Sequence, residues 1–178
     1  RAAGDPRIKG LYLEVGRVSA GWASVPEVRD AVAAFTASGK PCHAYGEVFD
    51  TKAYYLASAC DNVYIAPAGL MLVNGFSVTT EYYAGTLEQL GVTSNFEHVG
   101  DFKSAIEPFE RSGPSESASI ATEAMLDSLY GQLVEGIATG RGLEPDAVRA
   151  IIDNPPITPE AALAAGMVDG LKYRDEVR

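Results

Sequence analysis

The sequence predicts an α/β fold in which a mainly parallel sheet carries helices on its faces. Three observations lead to that expectation. Short segments whose apolar residues recur with period two alternate with segments whose apolar residues recur at helical spacing. Pro26, Gly39, Pro67, Pro145, Thr158 and Gly166 stand at boundaries of these segments, as helix starts, caps and stops do. Finally, 47% of the 178 residues are apolar and 21% charged, an ordinary globular balance with enough apolar surface for one buried core. Strands and helices that take turns along a chain favour parallel pairing, because a crossover helix returns the chain to the same end of the sheet.

The elements follow in order. Ile8 to Val15 alternates apolar and other residues and reads as the first strand. After a loop from Ser19 to Ser24, Pro26 stands where first-turn prolines stand, and Val28, Ala31, Val32 and Phe35 follow at i, i+3, i+4, i+7. That spacing predicts an amphipathic helix stopping near Gly39. Pro41 to Glu47 reads as a second strand, Lys52 to Ala59 as a helix, and Asn62 to Ala66 as a third strand ended by Pro67. Leu70 to Val78 is expected extended, Glu81 to Leu90 helical, and Val92 to Val99 extended again. A long helix is predicted from Ser115 to about Gly140, where Ile120, Ala124, Met125, Leu129, Leu133 and Ile137 form one apolar stripe of the kind that ordinarily faces a core. Pro145 opens a short helix. Thr158-Pro159-Glu160 then supplies an N-cap, a first-turn proline and an early acidic residue, with Gly166 as the stop. No internal repeat is visible, so residues 1–178 are expected to form a single domain.

Composition narrows the function. With 14 Lys and Arg against 24 Asp and Glu the net charge is −10, which argues against nucleic acid or an anionic bilayer as a partner. No apolar run approaches the roughly 20 residues of a membrane helix. The start at Arg1 and the polar end from Lys172 to Arg178 suggest a piece of a longer protein. Cys42 and Cys60 are too few for a disulfide framework; buried free thiols are the expectation, with one bridge in an oxidising compartment as the alternative. His43 and His98 fall in predicted strands, and with Cys42, Cys60, Asp61 and Asp101 they lack the close spacing of a zinc site. Gly69, Gly75, Gly85 and Gly91 are scattered rather than gathered into a phosphate loop. Neither metal nor cofactor is therefore expected.

One segment carries chemistry. Val99-Gly100-Asp101-Phe102-Lys103-Ser104-Ala105-Ile106-Glu107-Pro108-Phe109 is read as placing a lysine in the first turn of a short helix directly after a strand. A lysine serves as a general base near neutral pH only where burial or positive potential destabilises its ammonium form. A shift of about three pH units corresponds to about 4 kcal/mol, more than a helix terminus provides, so burial must supply most of it. The structural alternative is a surface pair between Lys103 and Glu107, worth about 0.3 kcal/mol.

The same segment resembles the V-G-x-[YF]-K-S-A-x-E-P-[FY] stretch of the signal peptide peptidase A family, a group of Ser–Lys serine peptidases whose lysine is the catalytic base. The likeness extends through Ser38-Gly39-Lys40-Pro41, Tyr54 to Ser58, Asp61 to Pro67 and Ala165 to Asp169. It implies a crotonase/Clp-protease-like repeat and, in the long form of the family, two such repeats in tandem. The first gives the lysine and the second the serine. Where a serine-bearing repeat reads Ala-Ser-Gly-Gly-Tyr-Tyr, this chain has Asp50-Thr51-Lys52-Ala53-Tyr54-Tyr55, and the family's oxyanion-hole glycine pair is reduced to Ser19-Ala20-Gly21-Trp22. These departures imply a first repeat that donates Lys103 to a composite site and is inactive alone. Thr51 is expected to cap a helix. The resemblance further implies signal peptides as substrates, a ring-like homo-oligomer, and an extracytoplasmic, periplasmic position held by a membrane helix outside these residues. An inactive scaffold repeat and a crotonase-type acyl-CoA enzyme are the alternatives.

Overall fold

The computed structural model describes residues 1–97 and 99–177. Four strands, β1 (Leu11–Glu14), β2 (Cys42–Asp50), β3 (Asn62–Leu72) and β4 (Gly170–Leu171), pair in that order and every pairing is parallel. The sheet's centre is apolar on successive residues: Cys42, Ala44, Tyr45 and Phe49 of β2 are buried, as are Val63, Ile65 and Met71 of β3. Burial on both faces suits a parallel sheet whose crossovers lay helices against it.

Proline at position 67 does not end β3. The register runs Gly46 opposite Ile65 and then Val48 opposite Leu70, so the residues between Ile65 and Leu70 bulge out against Glu47 alone. The bulge holds Pro67 without removing a ladder hydrogen bond, and the strand resumes beyond it. Gly69 permits the close approach, since a Cβ there would collide with the Glu47 carbonyl.

Helix α1 (Val25–Thr36) buries Val25, Arg29, Val32 and Phe35, while Val28 is half exposed. The buried stripe is thus rotated from the expected one. Arg29 takes an inward place because its guanidinium lies 5.0 Å from the centre of the Tyr55 ring and donates to the Gly136 carbonyl, a combination that lets a cation occupy an otherwise apolar face. Helix α2 (Thr51–Ala57) is capped by Asp50, whose carboxylate accepts the Ala53 N–H at 2.8 Å. Thr51 is therefore the first helical residue rather than the cap.

The remaining helices are α3 (Ala84–Gln89), α4 (Glu107–Glu110), α5 (Glu116–Arg141), α6 (Pro145–Asp153), α7 (Pro159–Ala164) and α8 (Arg174–Val177). Thr158 caps α7 as expected, its hydroxyl accepting the Ala161 N–H at 3.3 Å, and Gly166 stops it with φ +73°. Contacts divide the chain into two compact units, one of Arg1–Gly75 with Gln132–Arg178 and one of Phe76–Gly131. The first contains the whole sheet. In the second, residues 92–97 form no strand although extension was expected there; Val92 and Phe96 are exposed and no strand of that unit pairs with them among the described residues. The apolar stripe of α5 is buried only toward its end: Leu133 and Ile137 are buried, while Ile120 and Met125 are about half exposed.

Cys42 and Cys60 are joined in a disulfide, not free thiols. The start of β2 and the turn before β3 lie side by side in the parallel sheet, which brings the two Cα atoms to 4.8 Å, within bridging reach. Asp61 adds a further tie, accepting the Cys42 N–H at 2.8 Å.

Candidate active site

The lysine turn belongs to the unit of residues 76–131. Gly100, at φ +99°, bends the chain into it, a conformation that favours glycine. Lys103 follows with its N–H on the Gly100 carbonyl at 3.3 Å and stands just before a 3-10 turn, Ser104–Ile106, that runs on into α4. It is thus outside the helix rather than in its first turn, and no strand among the described residues leads into it. Its side chain is exposed and forms no ion pair among the described residues.

The expected Lys103–Glu107 surface pair is not formed. Glu107 Oε2 accepts the Ser115 N–H at 2.9 Å and Oε1 accepts the Ser115 O–H at 2.5 Å. Beside this arrangement lies a cavity of about 320 Å³ lined by Ser104, Glu107 and Pro108 together with Tyr82, Ser119 and Thr122. Val78, Pro114 and Ala118 add to a lining that mixes polar and apolar side chains, and Ser104, next to Lys103, is part of it. This carboxylate–serine clamp was not foreseen from the sequence. The Glu–Pro pair and the serine opening the long helix were the available signals, but nothing in their spacing says that they meet.

The segments expected on the nucleophile side lie in the other unit, and the fold brings them together. Lys52 Nζ donates to the Ala20 carbonyl at 2.7 Å, tying α2 to the Ser19–Trp22 loop, and the Trp22 and Tyr55 rings lie 5.1 Å apart. The Thr51 hydroxyl donates to the Asn74 carbonyl at 2.9 Å and accepts the Asn74 N–H at 3.0 Å. Both its roles are occupied by backbone.

His43 reads as structural. The Asn62 amide and His43 Nδ1 lie 3.3 Å apart, and the His43 and Tyr64 rings are neighbours. His98 is outside the described residues. Among the described residues no three His, Cys, Asp or Glu side chains gather as metal ligands, and no helix is long and apolar enough to cross a membrane.

Comparison with known proteins supports the peptidase direction. Residues 34–178 match the model of peptidase family S49. The chain is 30% identical over 177 residues to the chloroplastic serine protease SPPA of Arabidopsis thaliana, covering 99% of itself and 26% of that protein. With Protease 4 of Haemophilus influenzae it shares 31% identity over 149 residues, 83% of this chain and 24% of the relative. The chain thus spans about a quarter of the length of these relatives. Among solved structures, a membrane-bound stomatin-specific protease superposes with a TM-score of 0.50 at 13% identity, over 96% of this chain and 68% of that one, a likeness of fold.

Proposed function

Because the chain belongs to peptidase family S49, we propose that it is the lysine-bearing repeat of a serine endopeptidase, in which Lys103 takes the proton of a serine contributed by another segment. The observation that carries this reading is the state of Lys103 itself. It stands just before the 3-10 turn whose first residue, Ser104, lines the cavity, and it is exposed and forms no ion pair among the described residues, whereas the threonine at the nucleophile position is engaged by the Asn74 backbone. A base kept and a nucleophile absent fit a divided Ser–Lys site.

On this reading the desolvation that a lysine base needs comes from what covers the turn in the assembled enzyme, a second repeat of the same chain or a neighbouring copy. The lysine deprotonates the serine for attack on the peptide carbonyl and returns the proton to the leaving amine. The substrates are cleaved signal peptides, and the isolated 178 residues do not turn them over. A membrane anchor outside these residues holds the assembly at the extracytoplasmic face.

The test is Lys103→Arg in the full-length protein. Arginine keeps the charge and most of the length but holds its proton to a pKa above about 12. Peptide hydrolysis is expected to fall by at least about a thousandfold, on the order of 4 kcal/mol in the barrier, with folding and assembly unchanged by sedimentation and thermal melting. Activity close to wild type in this variant would leave Lys103 as a surface residue of an inactive scaffold.

A further inference from the structure

We infer that Glu107 is a positioning residue for Lys103: it ties the turn carrying the lysine to the start of α5 and holds a negative charge away from the ammonium. The inference rests on the reading of Lys103 as the general base. A carboxylate four residues after a lysine is placed where the two side chains of a helical segment ordinarily meet. Here the turn is 3-10 at its start, and both Glu107 carboxylate oxygens are directed to Ser115, on its N–H at 2.9 Å and its O–H at 2.5 Å.

Ser115 is a fixed anchor. Its Oγ accepts the Ala118 N–H at 3.1 Å and its carbonyl accepts the Ser119 N–H at 2.9 Å, so it caps a helix of 26 residues. The turn is gripped again just beyond Glu107, where the Tyr83 N–H donates to the Pro108 carbonyl at 2.6 Å and the Tyr83 ring stacks on Phe109 with centroids 6.0 Å apart. The lysine thus projects from a segment held at its C-terminal side by side-chain and backbone contacts, all within residues 76–131.

The electrostatic consequence has a definite sign. A carboxylate resting against an ammonium favours the charged form and opposes its use as a base. A carboxylate engaged by the cap of a helix instead has its charge met by amide groups and the helix dipole. Other ionisable groups of the same unit are Asp101, Glu110 and Arg111 on the same segment, Glu81 and Tyr82 on the irregular segment before α3, Glu88 on α3 and Glu123 on α5. They are unchanged in every variant below and cancel in the comparison.

The experiment measures kcat/KM for peptide hydrolysis by the full-length enzyme across about pH 6 to 10, where a one-unit move of a limb is tenfold in rate. Ser115→Ala removes the hydroxyl bond to Oε1 and leaves the backbone N–H on Oε2, so the carboxylate is held by one Ser115 bond instead of two and can swing toward Lys103. The acidic limb is expected to move upward by about half to one pH unit, a loss of about three- to tenfold near neutrality. Adding Glu107→Gln to Ser115→Ala returns the limb to its wild-type position although the cap is still missing, because a neutral amide does not stabilise an ammonium. Ser115→Thr, which keeps a hydroxyl, retains the wild-type profile. If Ser115→Ala does not fold, Glu107→Gln alone carries the test: its limb stays at or below the wild-type position, and an upward move refutes the inference. Equal losses in Ser115→Ala and in the double variant, with the limb unmoved in both, would leave Glu107 as a part of the helix cap only. Wild-type activity in Lys103→Arg would instead refute the base reading beneath it.

Discussion

Tyr54 is fully buried, and its hydroxyl donates to the Met167 carbonyl at 2.7 Å. Burial pushes its phenol well above the ordinary tyrosine range; the charge of Asp169 adds to that effect and Arg141 opposes it. A group whose folded value is raised holds its proton more tightly in the folded state. Its contribution is fully present below the ordinary value of 10.0 and is lost as pH rises from there toward the folded value. Tyr54→Phe is therefore expected to cost about 1 kcal/mol at neutral pH, through the lost hydrogen bond, and to flatten the alkaline decline. Urea unfolding of both proteins at about pH 8 and about pH 11 checks this, since the two curves should converge at the higher pH. Parallel declines would mean that another group drives alkaline unfolding. The tyrosine and its neighbours were legible as an Ala- and Tyr-rich helix, but its partner lies 113 residues away and no local pattern announces it.

Among the elements, β4 depends on a polar joint. Arg141 near the end of α5 has a side chain only 7% exposed and pairs with Asp169 at 2.8 Å, while the other Asp169 oxygen accepts the Val63 N–H of β3 at 2.7 Å. Two elements are therefore latched to the loop that leads into β4. Asp169→Ala leaves a buried guanidinium without its counter-ion and a strand N–H without its acceptor, and is predicted to destabilise by about 3 kcal/mol. Thermal melting of the single variant and of Asp169→Ala with Arg141→Met measures it, because the double variant should recover part of the loss. No recovery would locate the damage at the Val63 N–H. The sequence marked the helix stop at Gly166 but neither the short final strand nor the ion pair: a charged residue at a helix end is ordinarily solvated, and only the packing of α5 buries this one.

For the molecule as a whole, the disulfide constrains the sheet-bearing unit. It closes a loop with a sequence separation of 18, from the start of β2 through α2 to the turn before β3. A closed loop of this size restricts the unfolded chain by roughly 3 kcal/mol. Reduction, or Cys42→Ser with Cys60→Ser, is predicted to lower the melting temperature while preserving the far-ultraviolet dichroism of the folded protein at low temperature. An unchanged melting temperature after verified reduction would show that the packing around both cysteines already carries that stability. The Phe76–Gly131 unit has no disulfide, and the apolar side chains of Leu90, Val99 and Phe102 are well exposed on it. Its lysine turn is consequently held by the Glu107–Ser115 clamp and the Tyr83 contacts rather than by a deep core.

The alternation of the first three strands with helices, the parallel α/β class, the cap at Thr158 and the stop at Gly166 were determined by the sequence itself. All are written in windows of a few residues, where periodicity, φ restriction and capping chemistry act. Tertiary structure decided the rest. Pro67 stays inside β3 because a bulge against Glu47 accommodates it. Arg29 replaces Val28 on the buried face because Tyr55 and Gly136 receive its guanidinium. Cys42 meets Cys60 because parallel pairing aligns the start of β2 with the turn before β3. Glu107 turns to Ser115 because the chain folds back to begin α5 beside it. Each outcome is set by contacts between residues on different elements, whose energies depend on geometry that local patterns do not encode.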